Sequence, residues 1–169
     1  MVFLNHSYND TPTIHDVAGA DIAAPAMLAV KYSTGKLIVA GAGEAAMGIV
    51  LASQGAVANG GEMDVQINEG CLWLAGGTFS KGAELASDAN GKAVLATAGA
   101  FILAIALEDG AANQPTPVQI VKCGYKPTPQ AAVSLAALTD VTVGETLADG
   151  DTLTYDGTSE KWVNTAPTP

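Results

Sequence analysis

Short apolar runs punctuated by glycine, proline and Asn-Gly pairs recur along the chain, and no stretch sustains a helical period. Ala26 to Val30 and Lys36 to Ala40 read as two strands joined around Ser33-Thr34-Gly35, with glycine where a hairpin needs positive φ. Gly41-Ala42-Gly43 breaks the pattern before a third run, Met47 to Ala52. After Asn59-Gly60-Gly61, the residues Met63, Val65 and Ile67 alternate with Asp64 and Gln66, which predicts a strand with one buried and one wet face. Cys71 to Ala75 and Val118 to Lys122 are further apolar strands, the latter the last of the core. Turn signals spaced about eight to twelve residues apart predict an all-β domain, a small β-barrel or β-sandwich.

One part of this pattern is written twice. Gly35 to Leu51 (GKLIVAGAGEAAMGIVL) and Gly91 to Leu107 (GKAVLATAGAFILAIAL) align without a gap. Gly35, Lys36, Ala40, Ala42, Gly43, Ile49 and Leu51 meet identical residues. Leu28-Ala29 precedes the first copy and Leu85-Ala86 the second, and a Val-Gln-Ile follows each, at Val65 and at Val118. A solenoid needs three or more repeats, so two copies predict one compact body with an internal two-fold repeat whose halves share a core.

The ends differ from this middle. Residues 1–20 show neither alternation nor a helical period, and read as an extended arm, either a loose terminus or a segment that orders on a partner through Val2, Phe3, Leu4, Tyr8 and Ile14. Residues 21–123 form the predicted β domain and 124–130 (GYKPTPQ) a proline-rich linker. Residues 131–169 form an appendage, in which Gln130 to Leu138 has the composition for one or two helical turns. Thr152 to Tyr155 and Lys161 to Asn164 then predict a hairpin that brings Tyr155 and Trp162 onto its surface. A lone hairpin is barely stable in water, so this tail must pack on its own domain or on symmetry mates.

Charge and chemistry narrow the function. The formal net charge is -10, and all seven basic residues are lysine. Without arginine there is no planar fork for phosphate, and the negative field repels a nucleic-acid backbone. The apolar run Ala93 to Leu107 contains Gly99 and is too short for a spanning helix, and Met1 to Leu4 lacks the flanks of a signal peptide, so the reading is a soluble protein without membrane or nucleic-acid partners. Cys71 and Cys123 are expected to be buried free thiols, while His6 and His15 lie in the predicted arm. Asp149, Asp151, Asp156 and Glu160 lack the calcium-loop order, since Leu153 stands where an oxygen ligand belongs, and read as turn formers. Trp73 is expected in the core and Trp162 in a hairpin pair. No nucleophile elbow, zinc motif or phosphate loop occurs, so neither cofactor nor metal is expected, and the balance favours a structural or interaction protein over an enzyme.

Three stretches carry a resemblance. Gly82 to Lys92 (G-A-x-L-x-x-D-x-x-G-K), Ala104 to Glu108 (A-I-A-L-E) and Val118 to Ile120 (V-Q-I) are similar to the small capsid decoration, or head cement, proteins of tailed bacteriophages. Leu138 to Asn164 resembles short modules of phage fibre and head-fibre proteins, through its L-x-D-V, D-G-D-x-L-x-Y-D and K-W-V-N markers. The resemblance implies a barrel-like virion protein, usually a homotrimer, made in the host cytoplasm and carried on the outer face of the capsid, where it clamps adjacent major capsid subunits. It also implies that the N-terminal arm contacts the capsid. A fibre-type module that binds a host receptor or glycan through the hairpin is the alternative.

Overall fold

The computed structural model of the chain describes residues 13–129, 134–144 and 148–166, which form two compact units, Met1–Thr128 and Pro129–Pro169. The fold is all-β, and the only helix among the described residues is a single 3-10 turn.

The described residues of the first unit hold ten strands in two sheets of the same design. Strands β1 (Thr13–Val17), β2 (Ala29–Ser33), β3 (Lys36–Val39), β4 (Gly48–Val50) and β5 (Glu62–Gln66) are ordered β1-β5-β4-β2-β3. Strands β6 (Glu69–Leu74), β7 (Glu84–Ser87), β8 (Ala93–Leu95), β9 (Phe101–Ala106) and β10 (Pro115–Tyr125) are ordered β6-β10-β9-β7-β8. Each strand of the second sheet thus takes the place of the strand five earlier. The ladders are antiparallel, and one parallel bridge per sheet, Ala18 with Leu37 and Ala75 with Ala93, brings the outermost elements together. Each sheet therefore curls back on itself into a small barrel. Smaller details repeat too: Ala18 donates to Gly61 O at 2.8 Å as Ala75 donates to Gln114 O at 2.9 Å, and Leu51 to Asp64 O as Leu107 to Pro117 O, both at 2.9 Å.

The internal repeat therefore extends beyond its readable core, because β1 and β6 belong to it as well. Residues 13–20, placed by the sequence in an arm, are sheet from Thr13 to Val17, where β1 pairs with β5. The first hairpin also differs in register: β2 runs on to Ser33, leaving a two-residue turn of Thr34 and Gly35, with φ of 50° and 76°. Two successive positive φ values match the right-handed strand twist of a tight hairpin. At the far end, Gly124 and Tyr125 pair with Ile102 and Phe101 past a bulge, so β10 continues into the proline-rich stretch.

Burial explains why several strands lack alternation. Val30, Leu37, Val50, Met63 and Val65 fill the interior of the first barrel. Their neighbours Ala29 and Ile49 face the other way, into a cluster shared with Trp73, Leu85, Leu103 and Val118 of the second repeat. A strand buried on both faces reads as a continuous apolar run. The expected shared core is thus only part of the packing: one cluster crosses the seam and another stays within the first barrel. Alanines at the seam let backbones approach closely. Ala29 N donates to Gly91 O at 2.7 Å, Leu74 N to Met27 O at 3.0 Å, Gly43 N to Ser87 O at 2.8 Å and Phe101 N to Gly43 O at 2.9 Å.

Two further expectations are corrected. Gln66 is buried, not wet: its side-chain amide donates to Asn68 O at 3.1 Å and Gly70 O at 2.6 Å, which satisfies it at the turn into β6. Cys71 is buried as expected, but Cys123 is exposed, because the bulge between Ile120 and Gly124 turns it out of the ladder.

The described residues of the second unit form a three-stranded sheet. β12 (Thr152–Asp156) and β13 (Lys161–Thr165) form the expected hairpin, and β11 (Val141–Thr142) adds to β13 in parallel, after the 3-10 turn Leu135–Ala137. Asp156 closes the hairpin turn, accepting from Thr158 N at 3.0 Å and Ser159 Oγ at 2.7 Å. Asn164 ties the edges together by donating to Asp151 at 3.1 Å and accepting from Gly144 N at 2.6 Å.

Candidate functional site

The residues singled out from the sequence fall into two places. Val2, Phe3, Leu4 and Tyr8 lie outside the described residues. Ile14, grouped with them, pairs with Val65 in β1 and packs, half-buried, against the core of the first barrel. In the other unit Tyr155 and Trp162 stand directly opposite across the hairpin, with ring centroids 5.5 Å apart at 64°. That edge-to-face contact is favourable for aromatic pairs. Tyr155 is 53% exposed and Trp162 43%. Leu153, two residues along β12, shares their face, and Leu135 and Leu138 are exposed nearby in the chain. Val141 is the one buried hydrophobic residue among the described residues of this unit.

The titratable groups of the first barrel fasten strands together. The His15 Nδ1 and the Asp64 carboxylate meet between β1 and β5. The Tyr32 hydroxyl donates to Asp16 at 2.7 Å, joining β2 to β1. That bond, and then the Val17 N–H, hold the Asp16 carboxyl below its ordinary range, and the same bond raises the Tyr32 phenol. Lys31 donates to Glu44 at 2.7 Å, and this pair, followed by the Gly41 N–H, keeps the Glu44 carboxyl low. Among the described residues no three His, Cys, Asp or Glu side chains gather as metal ligands would, and no helix is long and apolar enough to cross a membrane.

The seam between the repeats holds an apolar pocket of about 220 Å³, between β4 and β5 of one barrel and β6 and β10 of the other. Ile49, Leu51, Gln66, Cys71, Leu72 and Pro117 line it. Burial pushes the Cys71 thiol up to about 12, so it remains a neutral, apolar part of the wall. Sequence reasoning missed this pocket, since its walls come from strands of different repeats. The legible signal was only that Met47 to Ala52 has apolar residues on both faces.

The chain thus offers packing surfaces, an exposed aromatic pair and an apolar seam pocket. No protein-family model matches the sequence, and no characterised protein matches it significantly. The fold is similar to that of a solved structure, the head fiber gp8.5 N base of bacteriophage phi29, with a TM-score of 0.53 and 15% identity, covering 69% of this chain and 98% of that one.

Proposed function

We propose that this chain is a non-enzymatic structural protein of a bacteriophage virion, attached to the outer face of the capsid. The observation that carries the reading is the fold likeness to a head-fibre base, which extends over nearly all of that structure. The sequence resemblance to decoration proteins in Gly82 to Lys92 and Ala104 to Glu108 supports it independently. The physics is consistent: a chain of net charge -10 without arginine is suited to the outside of a shell, away from packaged DNA. In this reading the two barrels grip adjacent major capsid subunits as a homotrimer. Weak contacts at three sites then add through effective concentration.

Binding of purified chain to capsids tests this directly. Saturable binding at symmetric positions, seen as added density on the shell by electron microscopy, is the expected result. Failure to bind, or binding without a fixed stoichiometry, overturns the proposal.

A second reading is favoured by the exposed Tyr155–Trp162 pair, whose edge-to-face rings offer an aromatic contact surface for a host receptor or glycan. Removing residues 130–169 separates the two. A capsid-attached barrel unit still binds capsids without them, whereas a receptor-binding module loses its target.

A further inference from the structure

We propose that β12 is a pairing edge for a second copy of this chain, and that two sheet units join antiparallel across a two-fold axis into one six-stranded sheet. The inference goes beyond the virion role and does not rest on it.

The backbone groups that β12 leaves free can be read from its neighbours. Trp162 N donates to Asp140 O at 2.8 Å, so the backbone polar groups of Trp162 point toward β11 and away from β12. Tyr155 lies directly opposite Trp162, so this pair exchanges no ladder bonds, and the N–H and C=O of Tyr155 point outward from the free side of β12. Two residues back, Leu153 does the same, while Thr152, Thr154 and Asp156 turn inward to β13. β12 ends the order β11-β13-β12, and among the described residues no strand pairs with its outer edge. Natural sheets blunt such edges with lysine, proline, a bulge or extreme shortness. The opposite edge, β11, is two residues long. β12 has five residues, Thr-Leu-Thr-Tyr-Asp, paired to β13 without a register break, and carries none of these devices.

The occupant follows from the strand's own sequence. A copy of β12 laid antiparallel with Thr154 on the axis sets each Leu153 opposite the Tyr155 of the other copy. Those are the two residues with outward backbone groups, so both N–H and both C=O groups of each edge find partners in this register. On the side-chain level Leu153 against Tyr155 is an aliphatic–aromatic cross-strand pair, which favours association, and Thr154 meets Thr154. Asp156, the one charged residue of the strand, meets the neutral Thr152. The two Asp156 carboxylates fall four positions apart along the strands, about 14 Å, beyond the roughly 8 Å screening length of physiological salt. The unit's size points the same way. Pro129–Pro169 is close to the roughly 40-residue length below which a domain usually needs a disulfide, a metal or oligomerisation. Both cysteines lie in the other unit, and Val141 is the one buried hydrophobic residue among those described here, which favours association.

The test is interchain cross-linking in the full chain carrying Cys123→Ser, which removes the exposed thiol. Opposed residues that exchange no ladder bonds have Cα atoms about 4.5 Å apart, within the range a disulfide spans. Thr154→Cys should therefore link two chains in the majority of molecules on mild oxidation. Thr152→Cys or Asp156→Cys alone should not, since each stands about 14 Å from its own copy, but a mixture of these two variants should link to one another. No interchain link at Thr154→Cys, or equal yields at all three single positions, overturns the proposal. A second measurement needs no new cysteine. The mass of the full chain, followed by sedimentation, should rise with concentration. Thr154→Lys, which sets two ammonium groups face to face on the axis, should need at least ten-fold more protein to reach the same mass. An unchanged concentration dependence overturns the proposal equally. Both readouts are taken on free protein, so their failure leaves the capsid-attachment reading untouched.

Discussion

Gly35 and Gly91 occupy the same place in the two repeats and have nearly the same backbone, with φ of 76° and 78°. Their surroundings are opposite. A methyl group on Gly35 would meet nothing within 4 Å, whereas one on Gly91 would lie 2.7 Å from Val39 Cγ1 and 2.9 Å from Ala29 O. Gly35→Ala should therefore cost only the left-handed strain, about 1–2 kcal/mol. Gly91→Ala adds a clash with backbone at the seam and should cost roughly 3 kcal/mol or more. Denaturant unfolding of both variants checks this, and equal losses would mean that the seam is not packed around Gly91. The Gly91 carbonyl accepts from Trp73 Nε1 at 2.8 Å, so Trp73→Phe should lose about 1–2 kcal/mol more than its change in size implies. Protonation acts on the first barrel in a predictable direction. Asp16 and Glu44 are depressed below their ordinary values of 3.8 and 4.5, first by Tyr32 and by Lys31 respectively. Their contribution is present above those values and is lost as pH falls through the lower folded ones. Stability should therefore decline below about pH 4, and Asp16→Asn should flatten part of that decline in midpoints measured against pH. At the other end, the Cys71 thiol is raised to about 12 from 9.0, so the unfolded chain ionises it first and stability should also fall as pH rises past 9.

Among the elements, β1 decides where the N-terminal boundary lies. It contributes five pairs to β5, and Ala18, which follows it, bridges to Leu37 and is fully buried. Removing residues 1–12 should leave a cooperative unfolding transition, because every described strand remains. Removing residues 1–20 takes β1 and the closing bridge together, leaving β5 with an unpaired edge, and should abolish the cooperative transition of the first barrel. Calorimetry of the two truncations distinguishes them, and a fully cooperative transition in the longer deletion would contradict the role given to β1. This boundary was hidden in the sequence for a specific reason. The strands β2 to β4 and β7 to β9 announce themselves through repeated Gly-Lys turns and small residues. Their partners β1 (TIHDV) and β6 (EGCLWL) share no residue at matching positions, because Ile14 of β1 packs on the first barrel's own core whereas Cys71 and Trp73 of β6 pack the seam. Alternation misled at Gln66, whose amide is satisfied by carbonyls of the next turn. The Tyr155–Trp162 pair was legible because turn residues set the hairpin register, whereas β11 has only two residues and no pattern to read. The seam pocket needed both repeats in place before its walls met.

For the whole molecule, the two units differ sharply in what holds them. The barrel unit buries Trp73, Leu37, Ile49, Met63, Leu85 and Leu103 completely or nearly so, while the sheet unit buries Val141 alone among its described hydrophobic residues. A three-stranded sheet with so little core offsets little of the entropy of ordering its chain. Its turn bonds at Asp156 are solvent-exposed and contribute modestly. The sheet unit of the free protein should therefore unfold at a lower temperature than the barrels, in a separate transition. The two tryptophans make this measurable, since Trp73 is fully buried in one unit and Trp162 is 43% exposed in the other. In Trp162→Phe, the remaining Trp73 should emit at short wavelength and shift only at the high-temperature transition. In Trp73→Phe, Trp162 should emit at longer wavelength from the start and respond to the earlier event. Trp73→Phe also weakens the seam, so its sheet transition should stay where it is while the barrel transition, followed by far-UV circular dichroism, moves down. Coincident transitions for both probes would show that the sheet draws its stability from more than its own residues. If a partner covers the Tyr155–Trp162 face, addition of that partner should raise the Trp162 transition and leave that of Trp73 unmoved. If the barrels instead grip a capsid, adding capsids should do the reverse, so the same pair of reporters separates attachment through one unit from recognition through the other.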